Sequence, residues 1–314
     1  MVTPSYPPLP ALEDLLSAQG TEHLSLFAKH ALNGPLAGYH RSPLKGFSVE
    51  FAEHRAYSPG DSLRRLDWKR LAKTDKMLLK TTDAETNLQC RVVLDRSGSM
   101  RTDHKLAFSI LCMALLGEAL GNQRDALGLT YLDGRGGTEA FPCKSSKSHR
   151  LALYQSVLQD LRTGADVPKR TPLSETLHQL AESMPRRSMV VVFSDFWEPE
   201  SDGASPWDAL QKALEHLRQR QHWVLLFPVF GPAEQELSFE NAGSWSELTD
   251  AETGEKLVLL PHEAKLAYQQ AFDARLDSLR RLQEPPQLQV HPLSTADHPL
   301  HGLLPFFLAH QKMK

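Results

Sequence analysis

The chain has 314 residues, 41% of them hydrophobic, with 35 Lys and Arg against 38 Asp and Glu for a formal net charge of −3. That length can bury a substantial core, and that balance excludes a disordered tail and a binder of nucleic acid acting through bulk charge. The three cysteines, Cys90, Cys112 and Cys143, form no C-x-x-C pair and fall in strand or helix interiors, so they read as small buried hydrophobes of a reducing, cytoplasmic compartment.

Residues 1–10 carry four prolines and no basic cluster. The amphipathic stretch 12–31 that follows is interrupted by Glu13, Asp14, Glu22 and Lys29, so no secretion signal is expected. Residues 1–84 are expected to form an N-terminal helix and a small β-rich lobe, with brief alternating runs at 47–51 and 77–80.

From residue 85 the texture changes. The runs 90–94, 189–194 and 223–230 are almost continuously apolar and rich in Val, Leu or Phe, as in central strands buried on both faces. Between them, residues 105–120 are nearly apolar all round and predict a buried helix. Residues 150–161, 172–184 and 207–221 show the 3.6-residue period of half-exposed ones. This alternation implies an α/β fold with a doubly wound, mostly parallel sheet over residues 85–314.

Two hairpins depart from the alternation. One joins 127–131 to 138–143 across Asp133-Gly134-Arg135-Gly136-Gly137, and the other is an insertion near 236–260 that turns at Thr253-Gly254. A long helix over 263–282 stops at Pro285-Pro286, and a last strand (288–293) and helix (299–310) follow. The most apolar runs, 110–116 and 224–230, fall short of the ~20 residues a bilayer span needs, so no integral membrane segment is expected.

In an open α/β sheet, ligands collect at the carboxyl ends of the strands. Two of the three apolar strands run into an aspartate there, in Val92-Val93-Leu94-Asp95-Arg96-Ser97-Gly98-Ser99-Met100 and Val190-Val191-Val192-Phe193-Ser194-Asp195. Between them Thr171 stands just before a predicted helix, in Arg170-Thr171-Pro172-Leu173. Ser97, Ser99 and Thr171 offer hydroxyls and Asp95 and Asp195 offer carboxylates. All are hard oxygen donors suited to Mg²⁺, Mn²⁺ or Ca²⁺. Ser97 and Ser99, two apart around Gly98, can point the same way, with Asp95 placed to hold a metal-bound water or orient the serines. Neutral hydroxyls leave such an ion electron-poor, and the expected outside ligand is a protein partner's Asp or Glu. The same residues could instead cap helix N-termini.

These segments resemble a known family. Asp95-Arg96-Ser97-Gly98-Ser99-Met100 matches the D-x-S-x-S opening of the metal-ion-dependent adhesion site of von Willebrand factor A domains, with Thr171 and Asp195 at its later threonine and aspartate. The segment Arg170–Leu173 lacks the glycine pair that usually precedes that threonine. Upstream, Gly46-Phe47-Ser48-Val49-Glu50-Phe51, Arg55-Ala56-Tyr57-Ser58-Pro59-Gly60-Asp61 and Arg65-Leu66-Asp67-Trp68 resemble the hallmark segment of the bacterial domain-of-unknown-function family 58 (DUF58). Downstream, Asp250-Ala251-Glu252-Thr253-Gly254-Glu255 is similar to that family too. The resemblance implies a non-enzymatic, metal-dependent protein-binding module. Its partner would be a MoxR-type AAA+ ATPase, and its role that of a co-chaperone or substrate adaptor in protein-complex or metallocofactor assembly.

Other features carry less. Glu50, Arg55, Asp61, Arg65 and Asp67 alternate in sign around Tyr57 and Trp68, as in a charge network fixing an irregular lobe, with a partner-docking surface as the alternative. The basic run that includes Lys69, Arg70, Lys73 and Lys76 is interspersed with acids and reads as a solvated face. His291, His298 and His301 read as surface or helix-end residues. Two other functions stay open, a Mg²⁺-dependent phosphohydrolase using Asp95 and Asp195 and a scaffold that has lost its metal. Against the first, no further carboxylate or lysine is evident beside Asp95, and there is no G-x-x-x-x-G-K-[ST], G-x-S-x-G or G-x-G-x-x-G motif.

Overall fold

Buried parallel strands can satisfy their backbone groups only through neighbouring strands, and most of this chain is arranged around one sheet that does so. The computed structural model describes residues 8–33, 52–56, 68–74, 76–82, 88–132, 138–163, 173–197, 206–236, 246–249 and 254–309. In chain order, α1 (Leu12–Leu16) and α2 (Gly20–Asn33) are followed by β1 (Ala52–Ala56), α3 (Trp68–Thr74) and β2 (Leu78–Thr82). Next come β3 (Gln89–Asp95), a 3-10 turn (Ser99–His104), α4 (Lys105–Asn122), β4 (Ala126–Leu132), β5 (Thr138–Lys144), α5 (Lys147–Thr163) and α6 (Leu173–Ser183). The chain continues through β6 (Met189–Ser194), α7 (Pro206–Gln219), β7 (Trp223–Phe230), α8 (Pro232–Glu236), β8 (Ser246–Thr249) and β9 (Lys256–Leu259). It ends with α9 (Pro261–Arg281), β10 (Leu288–Val290), β11 (Leu293–Ser294) and α10 (Pro299–Ala309).

The main sheet runs β10-β7-β6-β3-β4-β5, with β11 also on β7, and every pairing is parallel except β4 with β5. This is the doubly wound, mostly parallel α/β sheet that the apolar runs predict. Alternation along the strands divides the interior in two. Val92, Leu94, Val191, Phe193, Leu225 and Phe227 share one core with residues of α2, α4, α5 and α10. Val93, Val190, Val192, Val224 and Leu226 face the other side, against α6, α7 and α9. The two smaller ladders, β1 with β2 and β8 with β9, are antiparallel, and the second lies within residues 246–259.

Several details differ from the sequence reading for identifiable reasons. The stretch 12–31 is two helices, because the backbone is extended at Ser17, whose hydroxyl donates to the Asp14 carbonyl at 2.7 Å. Gly20 then approaches so closely that a Cβ would stand 2.0 Å from the Leu15 carbonyl oxygen. The apolar face of α2 (Leu24, Phe27, Ala28 and Ala31) joins the core around α4. The last strand divides into β10 and β11 around Pro292, which has no N–H to contribute to a ladder. Helices α3 and α8 were not expected. Trp68, placed by the sequence reading inside a charge network, opens α3 with its ring exposed. Glu50, Tyr57, Asp61, Arg65 and Asp67 lie outside the described residues, as do the run 47–51 and the turns at 133–137 and 250–253.

The 3-10 turn and α4 together, Ser99–Asn122, are long and apolar enough to cross a membrane by length and composition, yet 89% of the most apolar window is buried inside the protein. All residues from Lys105 to Leu120 are buried, so α4 is the central helix of one face of the sheet. Its few charges are neutralised locally, as where Arg150 of α5 reaches Glu118 at 3.5 Å. Cys90 and Cys112 are fully buried, and burial pushes both thiols up, as expected of packing residues.

At the opposite end of the sheet from the strand C-termini, the buried Asp125 accepts the Leu88 N–H at 2.9 Å through Oδ1. Its Oδ2 is buried without a hydrogen-bond partner among the described residues. Burial pushes its carboxyl from 3.8 up to about 6, against the opposing effect of the Leu88 hydrogen bond. A raised acid makes the folded state bind the proton more tightly than the unfolded one. Its contribution to stability therefore falls as pH rises from about 4 to about 6 and stays low above that. Asp125→Asn should be about 1–3 kcal/mol more stable than wild type at pH 7.5 and no different near pH 4, as measured by urea unfolding at both values.

Candidate metal centre

Strands β3 and β6 lie side by side, and the chain leaves them in opposite directions, from β3 to β4 on one side and from β6 to β7 on the other. Their carboxyl ends therefore flank the topological switch point, where an open sheet leaves a crevice. Asp95 is the last residue of β3, and Asp195 immediately follows β6. Both are buried.

Each aspartate organises the loop that follows it. Asp95 Oδ1 accepts the Ser97 N–H at 2.9 Å, and its Oδ2 accepts the Ser194 hydroxyl at 2.6 Å. Ser194 Oγ in turn accepts the Phe196 N–H at 2.9 Å, while Asp195 Oδ1 accepts the Trp197 N–H at 3.1 Å. The result places Ser97 Oγ and Ser99 Oγ 3.0 Å apart. Arg96 turns the other way, to Asp160 of α5 at 2.8 Å and over the Tyr131 ring at 4.4 Å, which anchors the loop. The cap position of the 3-10 turn is Gly98, which has no side chain, and Asp95 Oδ1 holds the Ser97 N–H just ahead of it, a bond of the kind the helix-capping alternative expects.

The crevice is strongly charged. Burial and then the nearby Asp195 charge push the Asp95 carboxyl up to about 6, against the hydrogen bonds from Ser194 and Ser97. Lys105, only 1% exposed, donates to Asp195 Oδ2 at 3.1 Å and to Glu234 Oε2 of α8 at 3.0 Å. Burial alone would lower its pKa, but the two carboxylates raise it above the ordinary lysine value. Glu234 Oε1 lies 3.9 Å from Arg275 of α9, whose guanidinium stands 4.8 Å over the exposed Trp197 ring.

The donor set fits a small hard cation on one measurable point. Octahedral Mg²⁺ takes oxygens at about 2.0–2.1 Å, so two adjacent ligands stand about 2.9–3.0 Å apart. The Ser97 and Ser99 hydroxyls, hydrogen-bonded to each other at 3.0 Å, already stand at that spacing. Among the described residues there is no group of three or more His, Cys, Asp or Glu that could hold an ion. Asp95, Ser97 and Asp195 are brought together at the crevice with Ser99 beside Ser97, whereas Thr171 lies outside the described residues. Two of the three C-terminal histidines make packing or capping contacts. His291 pairs with Gln289 and stacks on Phe227, and His298 accepts the Leu300 N–H.

Sequence reasoning missed Ser194, Lys105 and Glu234. A lysine at the first position of a helix opposes the helix dipole, and that misplaced charge was a usable signal for Lys105. Nothing comparable marks Glu234, which reaches the crevice from a short unexpected helix 129 positions away.

A central strand ending in D-x-S-x-S at the switch point of a mostly parallel sheet defines a von Willebrand factor A-like α/β protein. The family model described as "Protein of unknown function DUF58" matches residues 53–277, and the chain belongs to that family. "Uncharacterized protein Rv1480" of Mycobacterium tuberculosis (strain ATCC 25618 / H37Rv) is 28% identical over 251 residues, which cover 77% of this chain and 73% of that protein. Among solved structures, an aerotolerance-related membrane protein from Bacteroides fragilis NCTC 9343 has a TM-score of 0.42 and 17% identity, over 72% of this chain and all of that one. The SpRpn10 VWA domain has a TM-score of 0.39 and 10% identity, over 69% and 94% respectively.

Ser194→Ala removes both the donor to Asp95 and the acceptor of the Phe196 N–H. It should fold with about 1–3 kcal/mol less stability in urea, and an unchanged midpoint would show that these bonds contribute nothing.

Proposed function

We propose that this protein is a non-enzymatic, metal-dependent protein-binding module in which Asp95, Ser97, Ser99, Thr171 and Asp195 hold Mg²⁺, or Mn²⁺ or Ca²⁺ in its place. The observation that supports the reading most directly is the 3.0 Å hydroxyl pair of Ser97 and Ser99 beside two buried aspartates. When bound, the ion supplies an electrophilic face for a carboxylate from outside. Asp95 fixes the loop by accepting the Ser97 N–H, so both serine hydroxyls are oriented before any ligand arrives. Trp197, two residues after Asp195, exposes its ring to a partner and is backed by the largely buried Arg275.

Membership of the DUF58 family supports the wider reading of a cytoplasmic co-chaperone or substrate adaptor that works with a MoxR-type AAA+ ATPase in protein-complex or metallocofactor assembly. Calorimetric titration with Mg²⁺ should show binding by the wild type that Asp95→Ala and Ser97→Ala abolish, with unchanged far-UV circular dichroism. Affinity capture on wild type and Asp95→Ala should then lose the ATPase or its client in the variant. Capture that is indifferent to Asp95 would refute metal-dependent recognition.

One observation favours a second reading, a Mg²⁺-dependent phosphohydrolase. The lysine and further carboxylate not evident in the sequence are present in the crevice as Lys105 and Glu234. Against it stands the absence from the sequence of G-x-x-x-x-G-K-[ST], G-x-S-x-G and G-x-G-x-x-G motifs. Incubation of the protein with p-nitrophenyl phosphate and Mg²⁺ should give no turnover above buffer, and turnover abolished by Asp95→Ala would establish the enzyme.

A further inference from the structure

Lys105 is an unusual residue to find where it is. It is buried, it begins the most apolar helix of the protein, and its charge opposes the dipole of that helix. Two consecutive left-handed residues, Asp103 (φ 49°) and His104 (φ 57°), turn the chain into the crevice just before it. Such backbone is held only when its surroundings determine it. Here the Asp103 side chain lies against Gly231, where a Cβ would meet Asp103 Oδ2 at 2.1 Å, so the segment leading to Lys105 is packed on the start of the β7–α8 connection. The helix that follows, α8, carries Glu234, whose Oε2 also accepts the Gly231 N–H at 3.4 Å.

The ammonium thus sits between two carboxylates of different function. Asp195 belongs to the candidate ion site, and Glu234 belongs to α8, where Arg275 of α9 is its second cationic neighbour. We infer that Lys105 is the resident counter-ion of the crevice and competes with a divalent cation for Asp195. Glu234 acts as the alternative seat that lets Lys105 withdraw. The inference rests on the metal-dependent reading and deepens it.

The physical reason is charge. With no ion, the buried Asp95 and Asp195 face each other, and Lys105 supplies the nearest neutralising charge. With an ion held at the Ser97–Ser99 edge, an ammonium on Asp195 would stand beside a doubly charged cation in a poorly solvated site, so it must shift its bond to Glu234. Affinity for the ion is then set by how well Glu234 retains Lys105. By reciprocity, any group that draws Glu234 away from Lys105 weakens the ion, and the ion in turn tightens the Lys105–Glu234 contact between α4 and α8. Lys105 and Glu234 are positioning residues in this scheme, not ligands.

The test is Mg²⁺ titration of the full chain, stripped with EDTA, for wild type, Lys105→Met, Glu234→Gln and the double variant, with thermal melts in EDTA and in Mg²⁺. Lys105→Met should bind roughly tenfold more tightly and melt lower in EDTA, with a larger rise on adding Mg²⁺ than wild type. Glu234→Gln, at a partly exposed position, should bind roughly tenfold more weakly and lose that effect in the Lys105→Met background. Persistence of the Glu234 effect without Lys105 would mean simple loss of charge and overturn the inference, as would Lys105→Met binding no more tightly than wild type. If Lys105→Met fails to fold, Glu234→Gln decides, and wild-type affinity there overturns the idea. Binding by wild type that Asp95→Ala abolishes, with Lys105→Met unchanged, keeps the metal reading and removes this one. Binding by Lys105→Met alone supports the counter-ion and removes metal dependence in the wild type, while silence from both removes both.

Discussion

The pairing of β3 with β4 on one side and β6 on the other constrains the rest of the structure. A strand with parallel neighbours on both edges has no free edge, and helices must cover both of its faces. Its residues are therefore apolar from Val92 to Leu94, and the buried Arg91 before them donates to the Phe141 carbonyl at 2.9 Å. Asp95 is the first carboxylate beyond that apolar run and falls at the switch point, where the adjacent strand β6 delivers Ser194 and Asp195. The same pairing that builds the core brings together two buried aspartates that neither strand would tolerate further inside.

Several buried charges among the described residues follow one rule, an opposite charge within reach. Glu118 is met by Arg150, Asp195 and Glu234 share Lys105, and Arg96 is held by Asp160. Asp125 departs from that rule. It keeps one hydrogen bond, leaves an oxygen without a partner among the described residues, and responds with a raised pKa. At the crevice the rule has a functional edge. A site neutralised by its own lysine can fold without an ion, and a covalently attached cation then becomes a competitor for whatever ion the site receives. Glu234 and Arg275 extend this competition to α8 and α9, away from the D-x-S-x-S loop.

Much of the fold was legible because its strands are buried on both faces. The runs at 90–94, 189–194 and 223–230 needed no tertiary information, and the D-x-S-x-S at the end of the first located the crevice. The break between α1 and α2 was not legible, since it depends on Ser17 bonding back to Asp14 and on the approach of Gly20 to Leu15. Nor was α8, a single turn with no periodicity to read. Its Glu234 belongs to the site only because β7 ends beside the Asp103–His104 turn.

By itself the sequence determined the central strands and their alternation with helices, and it singled out Asp95, Ser97, Ser99, Thr171 and Asp195 as candidate oxygen donors, because hydrophobic periodicity and short-range loop chemistry are local properties. Tertiary structure alone decided that Lys105 bridges Asp195 to Glu234, that Ser194 holds Asp95, and that the N-terminal helix α2 completes the core around α4. Each of those joins residues far apart in the chain, and an ion pair or packing contact has no sequence signature until the sheet has set the distance between its partners.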